Sequence, residues 1–452
     1  MIDARRHPRS RGKGLIIAAP ASGSGKTLIT AGLLRHLRRS GVNVAAAKAG
    51  PDFIDPTLHA AASSRACLNL DVWAMRRATL AGLVAELEAT AELVLCEGVM
   101  GLFDGTGADG EAGSTAELAR LTGWPVVLVV NAHGQGASVA ALLRGFTAHD
   151  PGVHPLGVIF NRVSSARHRA LLAQAVARHL PDLACLGALP TDPALTLPAR
   201  HLGLVPAGEL SEPEAIIDRA ATMIGAGLDI SRLVGLARSS EFGDARHSRS
   251  IPPLGRRIAV ARDEAFCFVY PALLQGWERD GTELTFFSPL ANEPPDPTAD
   301  SIYLPGGYPE LWAGRLAAAE AFASALRRAA REGKPTYGEC GGYMVLGESL
   351  TDADGHSHRM TGLLPLSTSF AEKRLHLGYR RATLLDSTPL GRTGARFRGH
   401  EFHYATIVRE SRAVDPLMRT TDAAGSELGV CGLRRGSVFG SFIHLVDCSS
   451  AA

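Results

Sequence analysis

No run of apolar residues in this chain reaches 18, so no membrane-spanning helix is expected. No two cysteines form a C-x-x-C pair. The seven thiols (Cys67, Cys96, Cys185, Cys267, Cys340, Cys431 and Cys448) are scattered singly and odd in number. That pattern suits a reducing cytosol and argues against structural zinc. A dominant charge is missing too: 47 Lys and Arg against 45 Asp and Glu leave a net +2. Nothing in that balance points to nucleic acid. Residues 1–13 are an exception, with Arg5, Arg6, His7, Arg9, Arg11 and Lys13. They lack the apolar centre of an export signal and read as a basic disordered tail. The expectation is a cytoplasmic protein without a membrane partner.

What the chain does have is apolar content, 46% against 20% charged over 452 residues. That is a globular composition with room for two or three domains, each with its own core.

The strongest signal is residues 15–30, LIIAAPASGSGKTLIT. An apolar run stops at Pro20, small residues follow, and Gly25-Lys26-Thr27 opens a segment with helical apolar spacing (Leu28, Ile29, Leu33, Leu34, Leu37). Strand, glycine loop and helix together are the context of a phosphate loop. N–H groups at a helix start lack internal partners and carry about half a positive charge. Gly23 and Gly25 clear the way for phosphate oxygens to reach them. Lys26 is expected on the β- and γ-phosphates of ATP, and the Thr27 hydroxyl on Mg2+. The glycine that usually stands six residues before the lysine is absent; Pro20 takes its place. An ordinary strand-to-helix turn is the bland alternative, and the flanking apolar pattern disfavours it.

Val42–Ala47 reads as a second strand, running into Lys48 and then Asp52 and Asp55. Carboxylates past a strand's C-terminal end sit where open parallel sheets collect ligands. Gly-Pro-Asp is equally good turn chemistry. Leu93–Cys96 is a third strand. Glu97 follows it, before glycines, and is placed to hold Mg2+ or to cap a turn. Val126–Asn131 and Leu156–Asn161 are further strands. Asn161 offers an amide that could read a nucleobase edge, or simply a turn. Helical spacing over 138–147 and 166–177 completes an alternation that predicts a parallel, doubly wound sheet.

Residues 237–257 turn polar, with a Pro-Pro and no apolar period, and read as a linker. Strand patterns resume at Ile258–Ala261, Phe286–Phe287 and Ile302–Leu304, and Ala313–Arg331 reads as one amphipathic helix. Then comes Gly338-Glu339-Cys340-Gly341-Gly342, a short strand, a thiol and glycines before a helix. That is a nucleophile elbow with Cys in the usual Ser position. The helix start behind Cys340 is expected to lower its pKa. A lone Cys is otherwise a small buried hydrophobe, a reading the flanking glycines weaken. A thiol needs a base. Of His376, His400, His403 and His444, the last, after an apolar strand-like segment, is favoured; His400 and His403 suit structural roles.

These motifs resemble the cobyrinic/hydrogenobyrinic acid a,c-diamide synthases of cobalamin biosynthesis, which fuse a dethiobiotin synthetase-like ATPase to a class I-type glutamine amidotransferase. The matching stretches run in order: APASGSGKT (19–27), KAGPDFIDP (48–56), LDVWAM (70–75), CEGVMGLFDG (96–105), LPARHLGLVPA (197–207), ARDEAFCFVYP (261–271), LPGGYPE (304–310), GECGGYM (338–344), LGYR (377–380), RGHEFHY (398–404) and SFIHL (441–445). The resemblance implies an α/β chain of two doubly wound domains. These are an ATP-binding amide-ligase domain over 14–236, with a P-loop parallel sheet, and a class I glutaminase-like domain over 258–452. It implies that Gly23, Gly25, Lys26, Thr27 and Asn161 bind ATP. Thr27, Asp52 and Glu97 hold Mg2+, while Lys48, Asp55 and Arg200 serve the acyl-phosphate site. Cys340 forms a glutamyl thioester assisted by His444, with Gly306, Gly307 and Gly341 as oxyanion donors. The implied substrates are a corrinoid polycarboxylate and L-glutamine. Arg200, Lys373, Arg374, Arg380, Arg381, Arg396 and Arg398 are candidates to meet corrin carboxylates, or solvated surface residues. Related glutaminases carry a Glu two residues after the histidine, and here that position is Val446. What orients His444 is left open. LDVWAM looks more like the branch acting on metal-free substrate. Cobyric acid synthase, with the same two domain types but other side chains as targets, is the rival. A homodimer is one candidate assembly.

Overall fold

The computed structural model describes residues 11–449 except 108–109, 196–198, 201–202, 205–211, 244, 246–247, 249–250 and 412–413. The chain divides into two compact units, Met1–Trp73 with Arg77–Ser248, and Ala74–Arg76 with Arg249–Ala452. Among the described residues no helix is long and apolar enough to cross a membrane.

The first unit is built on a seven-stranded, wholly parallel sheet. Its order is Leu68–Leu70, Val44–Ala49, Leu93–Glu97, Lys13–Ala18, Val126–Asn131, Pro155–Val163 and Ala184–Pro190. The chain leaves the central strand Lys13–Ala18 to one side for three strands and to the other for the remaining three. Sheets covered on both faces read as continuous apolar runs, and Leu15, Ile16 and Ile17 are fully buried. The helix Lys26–Arg39 starts at Gly25, whose φ of 94° is left-handed. It ends in His36, Arg38 and Arg39, where cations suit the helix dipole. Buried Arg35 ties it to Glu214 and Asp218 on the helix Pro213–Gly227.

The second unit has a ten-stranded mixed sheet. Five parallel strands come first, in the order Glu283–Phe287, Arg257–Ala261, Ser301–Leu304, Thr336–Glu339 and Val438–Ser441. Five antiparallel neighbours continue it: Glu427–Arg435, Asp415–Thr421, His376–Leu384, Arg396–His403 and Ile443–Cys448. A four-stranded sheet over 349–410 accompanies it.

Two sequence expectations need correction, the tail and the helix over 313–331, and the linker over 237–257, within which the two units divide, gains detail. The tail is shorter than 1–13. Arg11 is paired with buried Glu88 and bonded to Ser240 (2.9 Å), and Lys13 begins a strand. The polar linker over 237–257 is anchored at both ends. Arg238 exchanges backbone hydrogen bonds with Gly14, while Ile251 is buried and its carbonyl accepts from Trp277 Nε1 (3.0 Å). Composition shows polarity, not where backbone groups find partners. The single helix over 313–331 is two, Ala313–Ala317 and Glu320–Arg331. Asn292 Oδ1 accepts from the Ala321 and Phe322 amides and so caps the second helix from outside. A cap contributed by a distant residue leaves no trace in helical spacing.

Candidate active sites

In the first unit, the strand Leu93–Glu97 delivers Glu97 beside the start of the glycine-loop helix. Thr27 Oγ1 donates to Glu97 Oε1 (2.8 Å) and lies 3.4 Å from Asp55 Oδ2. Lys48, the penultimate residue of its strand, has its Nζ 2.6 Å from Asp55, 3.4 Å from Glu97 and 3.9 Å from Asp52. Burial opposes the Lys48 charge, yet Asp55, Glu97 and Asp52 outweigh it and hold its pKa above the ordinary lysine value. Burial also opposes the Asp55 charge, and Lys48 overcomes it, pulling that carboxyl below its usual range. Burial and the Asp55 charge push Asp52 up. Asp52 does the turn work as well: its Oδ1 accepts from Ile54 N (2.8 Å). Among the two aspartates, Asp55 is the one that meets Thr27.

Lys26 Nζ donates to the Met100 carbonyl (2.6 Å), and burial lowers its pKa despite nearby Glu97. Gly23 has nothing within 4 Å of where a Cβ would point, whereas a Cβ on Gly25 would lie 2.3 Å from Asn161 Nδ2. Asn161 Nδ2 in turn donates to Ser24 O (2.9 Å), so this amide braces the loop. A hydroxyl and carboxylates around one point are all hard oxygen donors, which fits Mg2+. The residues therefore fit an ATP–Mg2+ pair. His59 was not foreseen. It sits one helical turn after Asp55, fully buried, with Nε2 2.5 Å from Glu97 Oε2. The i, i+4 spacing from Asp55 was the available signal. Arg200 lies on the short strand Ala199–Arg200, and its side chain is outside the described residues, as is most of the 197–207 block.

In the second unit, Cys340 follows the strand Thr336–Glu339 with φ 46° and ψ −103°, a strained conformation for a residue with a side chain. Its amide donates to Ser441 O (2.8 Å) on the neighbouring strand. The thiol is 2% exposed. Burial pushes its pKa up, the Glu310 charge adds to that, and the Gly341 N–H counters only part of it. The expected lowering by the helix start is thus overturned: Gly341–Leu346 is six residues long, and desolvation outweighs it. Gly307 N lies 3.1 Å from where Gly341 would carry a Cβ, so these backbone groups converge next to Cys340. Gly306 passes so close to His444 that a Cβ there would meet Cε1 at 2.4 Å.

His444 is 1% exposed. Burial drives its pKa well below normal, and the neighbouring His400 and His403 lower it further. His400 stacks on it with centroids 5.0 Å apart and meets Tyr270 Oη through Nδ1 at 3.2 Å. His400 is therefore nearer His444 than its position in sequence suggested. His403 bonds Glu401 (2.9 Å) and stacks on His376 (4.7 Å). Of the candidate corrin-binding cations, Arg380 is committed to Glu401 (2.8 Å) and Arg381 to the carbonyls of Asp422 and Ala423. Lys373, Arg374 and Arg396 are exposed, and Arg398 is half-buried.

Residues 15–205 match the CobQ/CobB/MinD/ParA nucleotide binding domain, and residues 257–451 the CobB/CobQ-like glutamine amidotransferase domain. Fold and sites together define a glutamine-hydrolysing, amide-forming ligase. The hydrogenobyrinate a,c-diamide synthase of Brucella anthropi is 52% identical over 437 residues, covering 96% of this chain and 98% of that one. Those of Rhizobium meliloti (51%, 96% and 99%) and Rhodobacter capsulatus (51%, 96% and 98%) are equally similar. The chain belongs to the hydrogenobyrinate a,c-diamide synthase family. Among solved structures, PurLQS from Thermotoga maritima aligns with a TM-score of 0.31 and 22% identity over 42% of this chain and 86% of that one, too loosely to support any inference.

Proposed function

We propose that this enzyme amidates the a and c side-chain carboxylates of hydrogenobyrinic acid, using one ATP and one glutamine for each amide. The single observation that carries the reading is the convergence of Lys26, Thr27, Lys48, Asp55 and Glu97 behind a glycine loop, in a chain whose other unit holds a strained, buried Cys340. The relatives' names favour the metal-free acid over its cobalt form. Nothing observed favours the cobyric acid synthase alternative.

A carboxylate is a poor acyl donor. Transfer of the γ-phosphoryl group to a carboxylate oxygen forms a P–O bond, releases ADP and leaves an acyl phosphate. Ammonia then bonds to the carbonyl carbon and phosphate departs. Gly23 and Gly25 open the loop to the phosphates, Asn161 braces it, and Lys26 exchanges the Met100 carbonyl for a phosphate oxygen. Thr27, Glu97 and Asp52, with Asp55 the aspartate nearer to Thr27, are the residues that would hold Mg2+, which when bound neutralises phosphate charge. Lys48 keeps the three carboxylates together, and Arg200 takes the role of meeting a substrate carboxylate. In the other unit Cys340 attacks the glutamine amide, and His444 takes the thiol proton and passes it to the departing ammonia. Gly306, Gly307 and Gly341 N–H groups receive the oxyanion, a role worth about 3–4 kcal/mol elsewhere. The reading carries with it a cytoplasmic enzyme, with a homodimer as candidate assembly.

The test is Cys340→Ala. Amidation driven by glutamine should vanish, while amidation driven by ammonia persists, each followed by mass spectrometry of hydrogenobyrinic acid gaining two amides. Loss of both in a folded variant would defeat the proposed division of labour.

A further inference from the structure

Taking Cys340 and His444 as the glutaminase pair, we infer that Glu339, the residue immediately before the nucleophile, is the carboxylate that orients His444 and stabilises its imidazolium. It would do the work of the glutamate that stands two residues after the histidine in related glutaminases, where this chain has Val446.

The geometry is specific. Glu339 Oε2 lies 3.8 Å from His444 Nδ1, with 4% and 1% of the two side chains exposed. The same oxygen accepts from Tyr303 Oη (2.9 Å). Oε1 accepts from Tyr337 Oη (2.9 Å) and from the backbone N–H of Leu445 (3.3 Å). The carboxylate thus faces the imidazole ring and also binds the backbone amide that follows it. Tyr303, Tyr337 and Phe439 stack in series, with centroids 5.8 and 5.1 Å apart, and fix the phenols that hold Glu339. A carboxylate costs several kcal/mol to bury unless it is bonded and finds an opposite charge. Three donors meet the first need here, and the second arises during turnover.

The strand geometry explains how adjacent residues serve opposite ends of the pair. Glu339 closes its strand opposite Ser441, and the left-handed φ of Cys340 turns the thiol out of that strand. When the thiol proton passes to Nε2, the ring becomes a cation among His400 and His403, both of which oppose positive charge there. Glu339 is the anion placed to stabilise that cation. Burial raises its pKa to about 7, against the pull of Tyr303, Tyr337 and Leu445, so it can be ionised near neutral pH. A separation of 3.8 Å is longer than a hydrogen bond, and catalytic contacts commonly shorten in the reacting complex.

Glu339→Gln in the full chain keeps shape and most donors while removing the charge. Its kcat for glutamine hydrolysis should fall by about 100-fold or more, within the range for positioned proton transfer. KM for glutamine and the ammonia-driven amidation rate should stay near wild type. The acid limb of the kcat–pH profile should move to lower pH, since an imidazolium without its anion is harder to form; a purely structural role would leave it in place. Tyr303→Phe, which frees Oε2 but keeps the charge, should lose a smaller factor in kcat at unchanged KM. A Glu339→Gln enzyme that keeps kcat within threefold, with its acid limb unmoved, overturns the assignment. If that variant misfolds and loses the ammonia reaction too, Tyr303→Phe decides, and an unchanged kcat there overturns it equally. Glutamine hydrolysis surviving in Cys340→Ala would instead sink the underlying reading of the pair.

Discussion

The two sites solve opposite electrostatic problems. The nucleotide-binding unit gathers a threonine hydroxyl and three carboxylates within a few ångströms of one another, with the buried Lys48 cation set against all three. The glutaminase unit buries its thiol and imidazole where charge is disfavoured: burial pushes Cys340 up and His444 down, so both rest neutral. Phosphoryl transfer needs fixed charges before the substrate arrives, since stabilisation comes from preorganised positions. Thioester formation needs charge only in passing, so a neutral resting pair with one anion nearby is enough.

That contrast can be broken from either side. The largest effect is expected for Glu97→Gln. It removes the carboxylate that Thr27, Lys48 and His59 all contact, and should cut ATP-dependent amidation by about 100-fold or more. Glutamate release from glutamine, measured in the same preparation, should persist; equal loss of both would blur the separation. Next comes Gly306→Ala. Its new methyl group would meet the His444 ring at 2.4 Å, so glutaminase kcat should drop about 10- to 100-fold from misplacement alone. Ammonia-driven amidation should be untouched, and an unaffected glutaminase would show that the ring has room to move.

The smallest effect is on stability and follows from pH. His400 is held near 3 by burial, and His444 lower than normal, while unfolded histidines titrate near 6.5. Below 6.5 the unfolded chain therefore takes up two protons that the folded one refuses. Glu339, raised to about 7, works the other way, because the folded form binds its proton first. Two against one leaves the second unit losing up to about 1.4 kcal/mol per pH unit as pH falls from 6.5 towards 5. Asp55 is depressed to about 2, so its contribution to the first unit is lost only in stronger acid. Hydrogen exchange, corrected for intrinsic rate, should show protection falling between pH 7 and 5.5 in Thr336–Glu339 before it falls in Leu93–Glu97. The reverse order would contradict the contrast.

Much of this was legible because it is local. Gly25-Lys26-Thr27 after an apolar run specifies strand, loop and helix, and glycines around Cys340 specify an elbow. What escaped was contributed from elsewhere in the chain. His59 reaches Glu97 from 38 residues away, and Asn292 caps a helix 29 residues later. The antiparallel strands His376–Leu384 and Glu427–Arg435 are mixed in polarity and half-exposed, so their alternation is weak. Asp52 and Asp55 could be placed near a ligand, but only the backbone path of the turn decides that Asp55 meets Thr27. The sign of the Cys340 shift was missed because helix position is written in sequence and desolvation is not.

Keeping that sulfur uncharged also bears on wear. Peroxides and electrophiles attack the thiolate, not the thiol. A buried thiol whose pKa is pushed up, as that of Cys340 is, should therefore be spared most of the damage that exposed, acidic cysteines accumulate. Idle enzyme would outlast oxidative episodes with its ammonia source intact.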